Sequence, residues 1–555
     1  METPLQSPTT ELPGYERIRR LNTIGIALSS QRDHHQLMEM ILSSAREITG
    51  ADAGTLYMLE PDKLALRFAN VQNDTLNVQF DSATDSHNFS LIQLYHADGT
   101  PDHRTVAACA VFNKTTINIT DAYNELGFDF SGTLRFDMKT GYRSSSFLTI
   151  PLISHDQEVI AVLQLINKLD SASKSVAFDA ADQEIAESLA SQAAVALSNQ
   201  QLVTELRTLF DSFTRVIGSA IDAKSPHTGA HCRRVPDATL MLAQAANGAN
   251  FPGLEGFVMS ENDMHELQTA AWLHDCGKIV TPHHIMEKST KLETLVDRID
   301  YISQRFDILA RDMEIAELKL QLQATHQGQA ILPTKLPSTD PQLKQLADDL
   351  AFLKRTNIGG EFMTDSDIER VQAIAQRSWI GLDGQPCPLL NVDEVLNLCT
   401  RKGTLNAVER CIMQDHMVHT LNMLEKLPFP SNLQNVTEYA VGHHERMDGT
   451  GYPRGLTRDQ LSIPARMMGV ADVFEALTAH ERPYKKPMPL SQALNIMGDM
   501  VEDQHLDPDL FALFVYKQVY LEYAHKHLQP EQIDFIDLET LPGLGFSTYA
   551  TAAIQ

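Results

Sequence analysis

The sequence predicts a multidomain chain. An α+β domain, an antiparallel sheet flanked by helices, comes first. A helical stalk and an all-α domain with an α-helical insertion follow. Three observations predict this. Short strand-like runs bounded by turn residues fall between Gly54 and Ile166. Leu202, Leu206, Leu209, Phe213 and Val216 then recur at intervals of four and three, the spacing of a coiled-coil seam. Beyond them the apolar residues keep helical spacing, and His and Asp stand at the ends of such runs.

With 555 residues the chain has room for three or four domains, and its 43% apolar content suffices for their cores. The net charge of −27 argues against nucleic acid or an anionic membrane as a main partner. An anionic nucleotide would therefore have to be held by local metal, Lys or Arg. Six scattered cysteines without CxxC pairs read as reduced thiols of a cytoplasmic protein. No apolar run approaches the roughly 20 residues of a membrane span. The start, METPLQSPTTELPG, lacks the pattern of a signal peptide, and residues 1–17 read as a disordered tail.

Tyr15 to Ile48 is helical in pattern, with Leu37, Met40, Ile41 and Ile48 in a stripe and Gly50 as a stop. Gly54–Leu59 and Leu64–Ala69 read as strands, and residues 73–104 give no element. Ile117–Ile119, Ser145–Ile153 and Val159–Ile166 read as further strands, before a long helix from about Asp179. Asp121, the run Gly141-Tyr142-Arg143-Ser144-Ser145-Ser146-Phe147-Leu148, Pro151-Leu152 and Val159–Gln164 together resemble a GAF domain, assigned to residues 18–200. Asn167-Lys168, Phe178 and Asp182 match most of the NKFDE pattern of that family, which breaks at Gln183. The resemblance implies a pocket for a small molecule, or a purely structural, dimerising domain. It assigns no binding residue. The stalk, residues 201–221, is expected to pair two chains in parallel, making a homodimer; an amphipathic helix packed on its own domain is the alternative.

The chemistry-bearing residues stand in the order His231, His274-Asp275, His443-His444 and Asp472. His274-Asp275 ends an apolar run in Ala270–Lys278, and His443-His444 opens VGHHERMDGTGYPRG, a Gly/Pro-rich turn. Imidazole nitrogen and carboxylate oxygen suit divalent Fe, Mn or Zn, and the lack of thiolates favours Fe or Mn. HDxGK, HHExxDGxGYP and the later Asp472 with Arg482-Pro483-Tyr484 resemble the HD-GYP phosphodiesterases of cyclic di-GMP signalling. The resemblance covers about Val216–Lys291 and Arg401–His527. It adds His416, on the helix after Gly403, as a further histidine of the set.

Phosphodiester hydrolysis at neutral pH needs a strong nucleophile and charge neutralisation, which two metals about 3.5–4 Å apart can supply. The expected ligands are His231, His274, Asp275, His416, His443, His444 and Asp472, with Asp275 as the bridge. His227, four residues before His231, is a candidate for a third ion, and a pocket-lining histidine is its alternative. Lys278 is expected to touch a phosphate oxygen or protonate the leaving alkoxide. Arg482 and Lys485 resemble the family's phosphate clamp, with one extra residue after Asp472. Tyr452 is either a platform for guanine or a ring that fixes its loop. Asp222 and Ser225 stand where the family usually has Glu and Asp.

The expected catalytic domain is 222–291 with 402–528, and 529–555 is a C-terminal tail. Residues 292–401 read as the insertion, with a stripe Leu295, Ile299, Ile302, Phe306 and Leu309 and further helices from Leu343 and Ile368. The implied activity is hydrolysis of cyclic di-GMP to linear pGpG or GMP under control of the first domain. Another cyclic dinucleotide such as cyclic GMP-AMP, or a non-catalytic sensor, is the alternative.

Overall fold

Asp33 and Gly50 punctuate the first helical stretch. Asp33 accepts a hydrogen bond from the Gln36 amide and starts α2 (His34–Thr49), parting it from α1 (Pro13–Ser30). Gly50 closes α2 at φ +70°, a left-handed conformation natural to glycine. The computed structural model describes residues 13–81, 90–224, 230–327, 340–360, 362–479 and 487–544. Helix α1 begins inside the expected tail, because Pro13 is well placed in a first helical turn. The chain divides into two compact units, Met1–Leu209 and Phe210–Gln555.

In the first unit the strands are β1 (Ala51–Leu59), β2 (Ala65–Asn73), β3 (Val78–Asp81), β4 (Ile92–Gln93), β5 (Ile117–Ile119), β6 (Phe147–Ile153), β7 (Val159–Leu169) and β8 (Ser175–Val176). The main path runs β3-β2-β1-β7-β6-β5, and every pairing is antiparallel. The helices are α3 (Val106–Asn113), α4 (Ser131–Thr140) and α5 (Ala180–Lys224). One sheet face packs on α2 and α5 through Leu37, Ile41, Leu56, Leu148, Leu163 and Leu189. Tyr57, Leu66 and Val162 of the sheet pack with Ala107 and Ala110 of α3. The stretch 73–104 thus holds two short strands, β3 and β4, and α3 follows it; their brevity hides them from periodicity. Asn167 accepts from the Ser145 amide at 2.7 Å and donates to the Arg143 carbonyl at 2.8 Å. Lys168 pairs with the fully buried Asp182. These NKFDE residues hold the fold.

Helix α5 is continuous over 45 residues, so the last helix of the first unit and the stalk are one element. Leu202, Leu206, Leu209, Phe213 and Val216 are 45–64% exposed, so this stripe is not packed on its own domain.

The second unit contains α6 (His231–Ala246), α7 (Glu261–Leu273), α8 (His283–Met286), α9 (Ile299–His326), α10 (Pro341–Asn357) and α11 (Asp365–Ala375). The hairpin β9 (Ser378–Ile380) and β10 (Pro386–Pro388) follows, then α12 (Val392–Leu398), α13 (Ala407–Gln414), α14 (His416–Leu424) and α15 (Val436–Gly442). Last come α16 (Ile463–Thr478), α17 (Leu490–Glu502), α18 (Pro508–Tyr516) and α19 (Val519–His527). Met467, Met468, Val470, Ala471 and Phe474 of α16 are fully buried in one core with residues of α6, α7, α15, α17 and α18.

Ile302, Phe306, Leu346, Leu353, Val371 and Leu390 form a separate core between residues 292 and 398. Leu295 is no part of it: α9 starts only at Ile299, which leaves Leu295 95% exposed. The hairpin also makes this region more than helical. Its two ends meet. The Lys291 ammonium reaches the Thr400 carbonyl at 2.7 Å, and Thr404 Oγ1 donates to the Lys288 carbonyl at 2.9 Å. Residues 529–544 are not a tail either, since Leu541 and Leu544 are buried in the main helical core. A Cβ on Gly498 would lie 2.3 Å from the Pro542 carbonyl oxygen, so α17 and this segment are in direct contact.

Because the insertion has its own core and adjoining ends, replacing residues 292–401 by a short linker should leave cooperative, mostly helical unfolding of the rest. Circular dichroism during thermal unfolding checks this; loss of the cooperative transition would make the segment part of the catalytic core.

Candidate metal centre

Three imidazoles of the site stand at the C-terminal ends of helices, where carbonyls lose their helical partners. His274 follows α7, His416 follows α13 and His443 follows α15. Each places Nδ1 against the carbonyl three residues back: Ala271 at 2.7 Å, Met413 at 2.5 Å and Ala440 at 2.6 Å. A carbonyl only accepts, so Nδ1 carries the hydrogen and Nε2 presents its lone pair. His231 opens α6 and does the same through a side chain, since its Nδ1 meets Glu475 of α16. Arg234, one turn on from His231, donates to Glu475 at 2.6 Å. Asp222 accepts from the Cys232 amide at 3.1 Å, which steadies the start of α6.

The free faces converge on Asp275. One carboxylate oxygen lies 3.3 Å from His231 Nε2, 3.1 Å from His274 Nε2 and 2.5 Å from the Lys278 ammonium. The other is 3.4 Å from His416 Nε2. Asp472 Oδ1 stands 3.2 Å from His231 Nε2 and 3.7 Å from His274 Nε2. Among the described residues, potential ligand atoms fall in three groups, each within 4.8 Å: Asp275 with His416, His443 and His444; His231 with His274 and Asp275; His274 with His443 and Asp472. Asp275 Oδ1, His416 Nε2 and His443 Nε2 are buried without a hydrogen-bond partner. Buried lone pairs pointing at one another are unfavourable unless a cation sits among them. The donor set therefore fits divalent metal ions.

Close approach of backbone explains two glycines. A Cβ on Gly277 would lie 2.0 Å from the His416 carbonyl oxygen, and the Gly277 amide donates to Thr420 Oγ1 at 2.9 Å, so α14 rests on the HDxGK turn. A Cβ on Gly451 would lie 2.4 Å from the Arg446 amide nitrogen. The loop is held by Glu445, which accepts from the amides of Arg454 at 2.7 Å and Leu456 at 2.9 Å. Tyr452 stacks on His444 with ring centres 4.9 Å apart, so one face of the ring fixes the imidazole.

Charges follow the geometry. Burial pushes Asp275 upward, but Lys278 and His274 hold it well below the usual carboxylate range. Asp472 is held low against burial by its hydrogen bond with His231. Burial works against charge on His231, yet Glu475 and the bonds to Asp275 and Asp472 keep its pKa well raised. Burial and repulsion from His274 lower His443 to about 4, so its imidazole is neutral at pH 7. Burial lowers His444 as well. Burial also disfavours charge on Lys278, which Asp275 and Asp472 more than restore.

All seven expected ligand residues and Lys278 are thus brought together. His227, Arg482 and Lys485 lie outside the described residues. The sequence assigns no role to Glu475, Arg234 or Thr420, nor to Glu445 within its motif. The usable signal was i, i+3 spacing: His231 with Arg234, and Asp472 with Glu475, each share a helix face.

A GAF domain model matches residues 33–197, and two HD domain models match 228–353 and 391–510. The chain carries a GAF domain and an HD domain. It is 40% identical over 112 residues to a 3'3'-cGAMP-specific phosphodiesterase 3 of Vibrio cholerae, covering 20% of this chain and 23% of that one. It is 37% identical over 136 residues to a cyclic di-GMP phosphodiesterase of Pseudomonas aeruginosa, covering 24% and 30%. With a cyclic di-GMP phosphodiesterase of Thermotoga maritima the figures are 36% over 131 residues, 24% and 33%. The chain therefore spans a third or less of the length of these relatives. Among solved structures, the GAF domain of an Acinetobacter phosphoenolpyruvate-protein phosphotransferase is similar to 34% of this chain over 96% of its own, at 15% identity and TM-score 0.26. Among the described residues no helix is long and apolar enough to cross a membrane.

Glu475→Gln removes the charge that orients His231 while keeping the volume. Metal affinity should fall about 10- to 100-fold, read by competition with a chelating dye. An unchanged affinity would mean that His231 needs no such support.

Proposed function

We propose that the protein is a metal-dependent phosphodiesterase of cyclic dinucleotides, hydrolysing cyclic di-GMP to pGpG or GMP. One observation carries this reading: His231, His274, Asp275, His416, His443, His444 and Asp472 fall into overlapping groups of potential metal ligands, with Asp275 Oδ1, His416 Nε2 and His443 Nε2 buried and unsatisfied among them. Two divalent ions, Fe or Mn, held there would lower the pKa of an attacking water and neutralise the phosphoryl oxygens. Asp275 turns one carboxylate oxygen toward His231 and His274 and the other toward His416, and would help to hold both ions. Lys278 is half-buried with its ammonium on Asp275 and donates to a phosphoryl oxygen or to the departing alkoxide. The loop pinned by Glu445 holds Tyr452 and His444 in place. Arg482 and Lys485 are proposed to hold the phosphates, and His227 to add a ligand for a third ion.

Cyclic GMP-AMP is the second reading, favoured by relatives named as 3'3'-cGAMP-specific phosphodiesterases. The GAF domain regulates the site, with or without a small-molecule ligand. Two chains pair through the exposed seam of α5 as a homodimer. The place of action is the cytoplasm, in keeping with six free cysteines.

Purified, metal-loaded protein incubated with cyclic di-GMP and with 3'3'-cGAMP should hydrolyse at least one of them, followed by chromatography of the products. Asp275→Ala should lower the rate by more than about 100-fold, beyond the loss that a merely supporting residue causes. Absence of turnover on both, with metal bound, would overturn the reading. On the pairing of chains, Leu206→Asp puts a charge in the seam. Sedimentation should show wild-type dimer and variant monomer, and two monomers would refute the stalk.

A further inference from the structure

The end of α5 touches the HDxGK turn directly. Lys224, in its last turn, sends its ammonium to the carbonyls of Lys278 at 3.1 Å, Thr281 at 2.7 Å and Ile279. An ammonium has three N–H donors, and here three carbonyls meet them. Those carbonyls belong to the 3-10 turn Cys276–Ile279 and the residues just after it. Its C-terminal carbonyls carry partial negative charge that a cation satisfies. The same turn carries Lys278 and follows Asp275 immediately.

Two more contacts bind α5 to α7, the helix that delivers His274 and Asp275. Asp211 meets His265 Nε2 at 2.7 Å. Gly218 lets α5 approach so closely that a Cβ there would lie 2.9 Å from the Trp272 ring. Asp211 and Gly218 are seven apart, on the side of α5 opposite Leu209 and Val216 of the exposed seam. One face of the helix is exposed while the other grips α7.

We propose that Lys224 is a positioning residue that ties the last turn of α5 to the turn bearing Asp275 and Lys278, so that displacement of α5 moves the Lys278 side chain relative to the metal centre. The proposal rests on the phosphodiesterase reading for its consequence, though not for its geometry. Lys224 touches no reacting atom. Its effect runs through Lys278, whose misplacement by about 1 Å can cost about 100-fold in rate.

The test uses the full chain and the variants Lys224→Met, which keeps the stem without the ammonium, and Lys224→Gln, which keeps two donors. Hydrogen exchange of the amides between 276 and 282 should quicken in the order wild type, Gln, Met, with α6 and α16 unchanged. Metal content should equal wild type. With the hydrolysed cyclic dinucleotide, kcat should fall about 10- to 100-fold in Lys224→Met, with KM within twofold. Unchanged exchange in that turn would overturn the proposal, and so would a fall in kcat that merely follows metal loss. If wild type hydrolyses neither dinucleotide, the functional reading fails, and the exchange measurement still decides the tie to α5.

Discussion

The hydrogen bond from an imidazole Nδ1 to the carbonyl three residues back is the device on which the helical domain depends. Its use after α7, α13 and α15 fixes the tautomer and the direction of three rings at once. It also satisfies carbonyls at helix ends, so each helix is capped by the group it presents. The surrounding core supplies the convergence. Helix α16, its core face fully buried, brings Asp472 to the centre from one side, and α7 brings Asp275 from another. Placing two carboxylates and several imidazoles in such a core is unfavourable without cations. The strain of unsatisfied atoms at Asp275, His416 and His443 is therefore the physical signature of the site.

Rigidity around this centre comes from backbone contacts. Gly277 lets α14 sit on the turn after Asp275, and Gly451 lets the loop fold back on Arg446. A side chain at either place would push a ligand-bearing segment away. The carboxylate of Glu475 gives His231 the support that carbonyls give the other three, and Arg234 holds that carboxylate in place.

Much of this could be read from the chain alone, for a reason visible in particular residues. His274-Asp275 and His443-His444 are adjacent pairs, and Gly277 and Gly451 follow them closely, so local motifs report the site. Glu475 and Arg234 escaped because their partners sit on helices more than 200 residues apart, and spacing on one helix does not say what faces it. Helix α3 and strands β3 and β4 are too short to show a period. The apolar spacing starts the insertion stripe one turn early, at Leu295, since an apolar residue before a helix looks like one inside it. The packing of Leu541 and Leu544 was invisible for a similar reason: two leucines in a short irregular segment carry no pattern. Continuity of α5 through the expected boundary near residue 200 could not be read either, because a change from core-facing to seam-facing spacing does not break a helix.

Anomalous diffraction from crystals of the metal-loaded protein tests the central claim most directly. The account predicts ions flanking Asp275 and ligated by Nε2 of His231, His274, His416 and His443, with every Nδ1 still on its carbonyl or on Glu475. Ions bound elsewhere, or ligation through Nδ1, would contradict it.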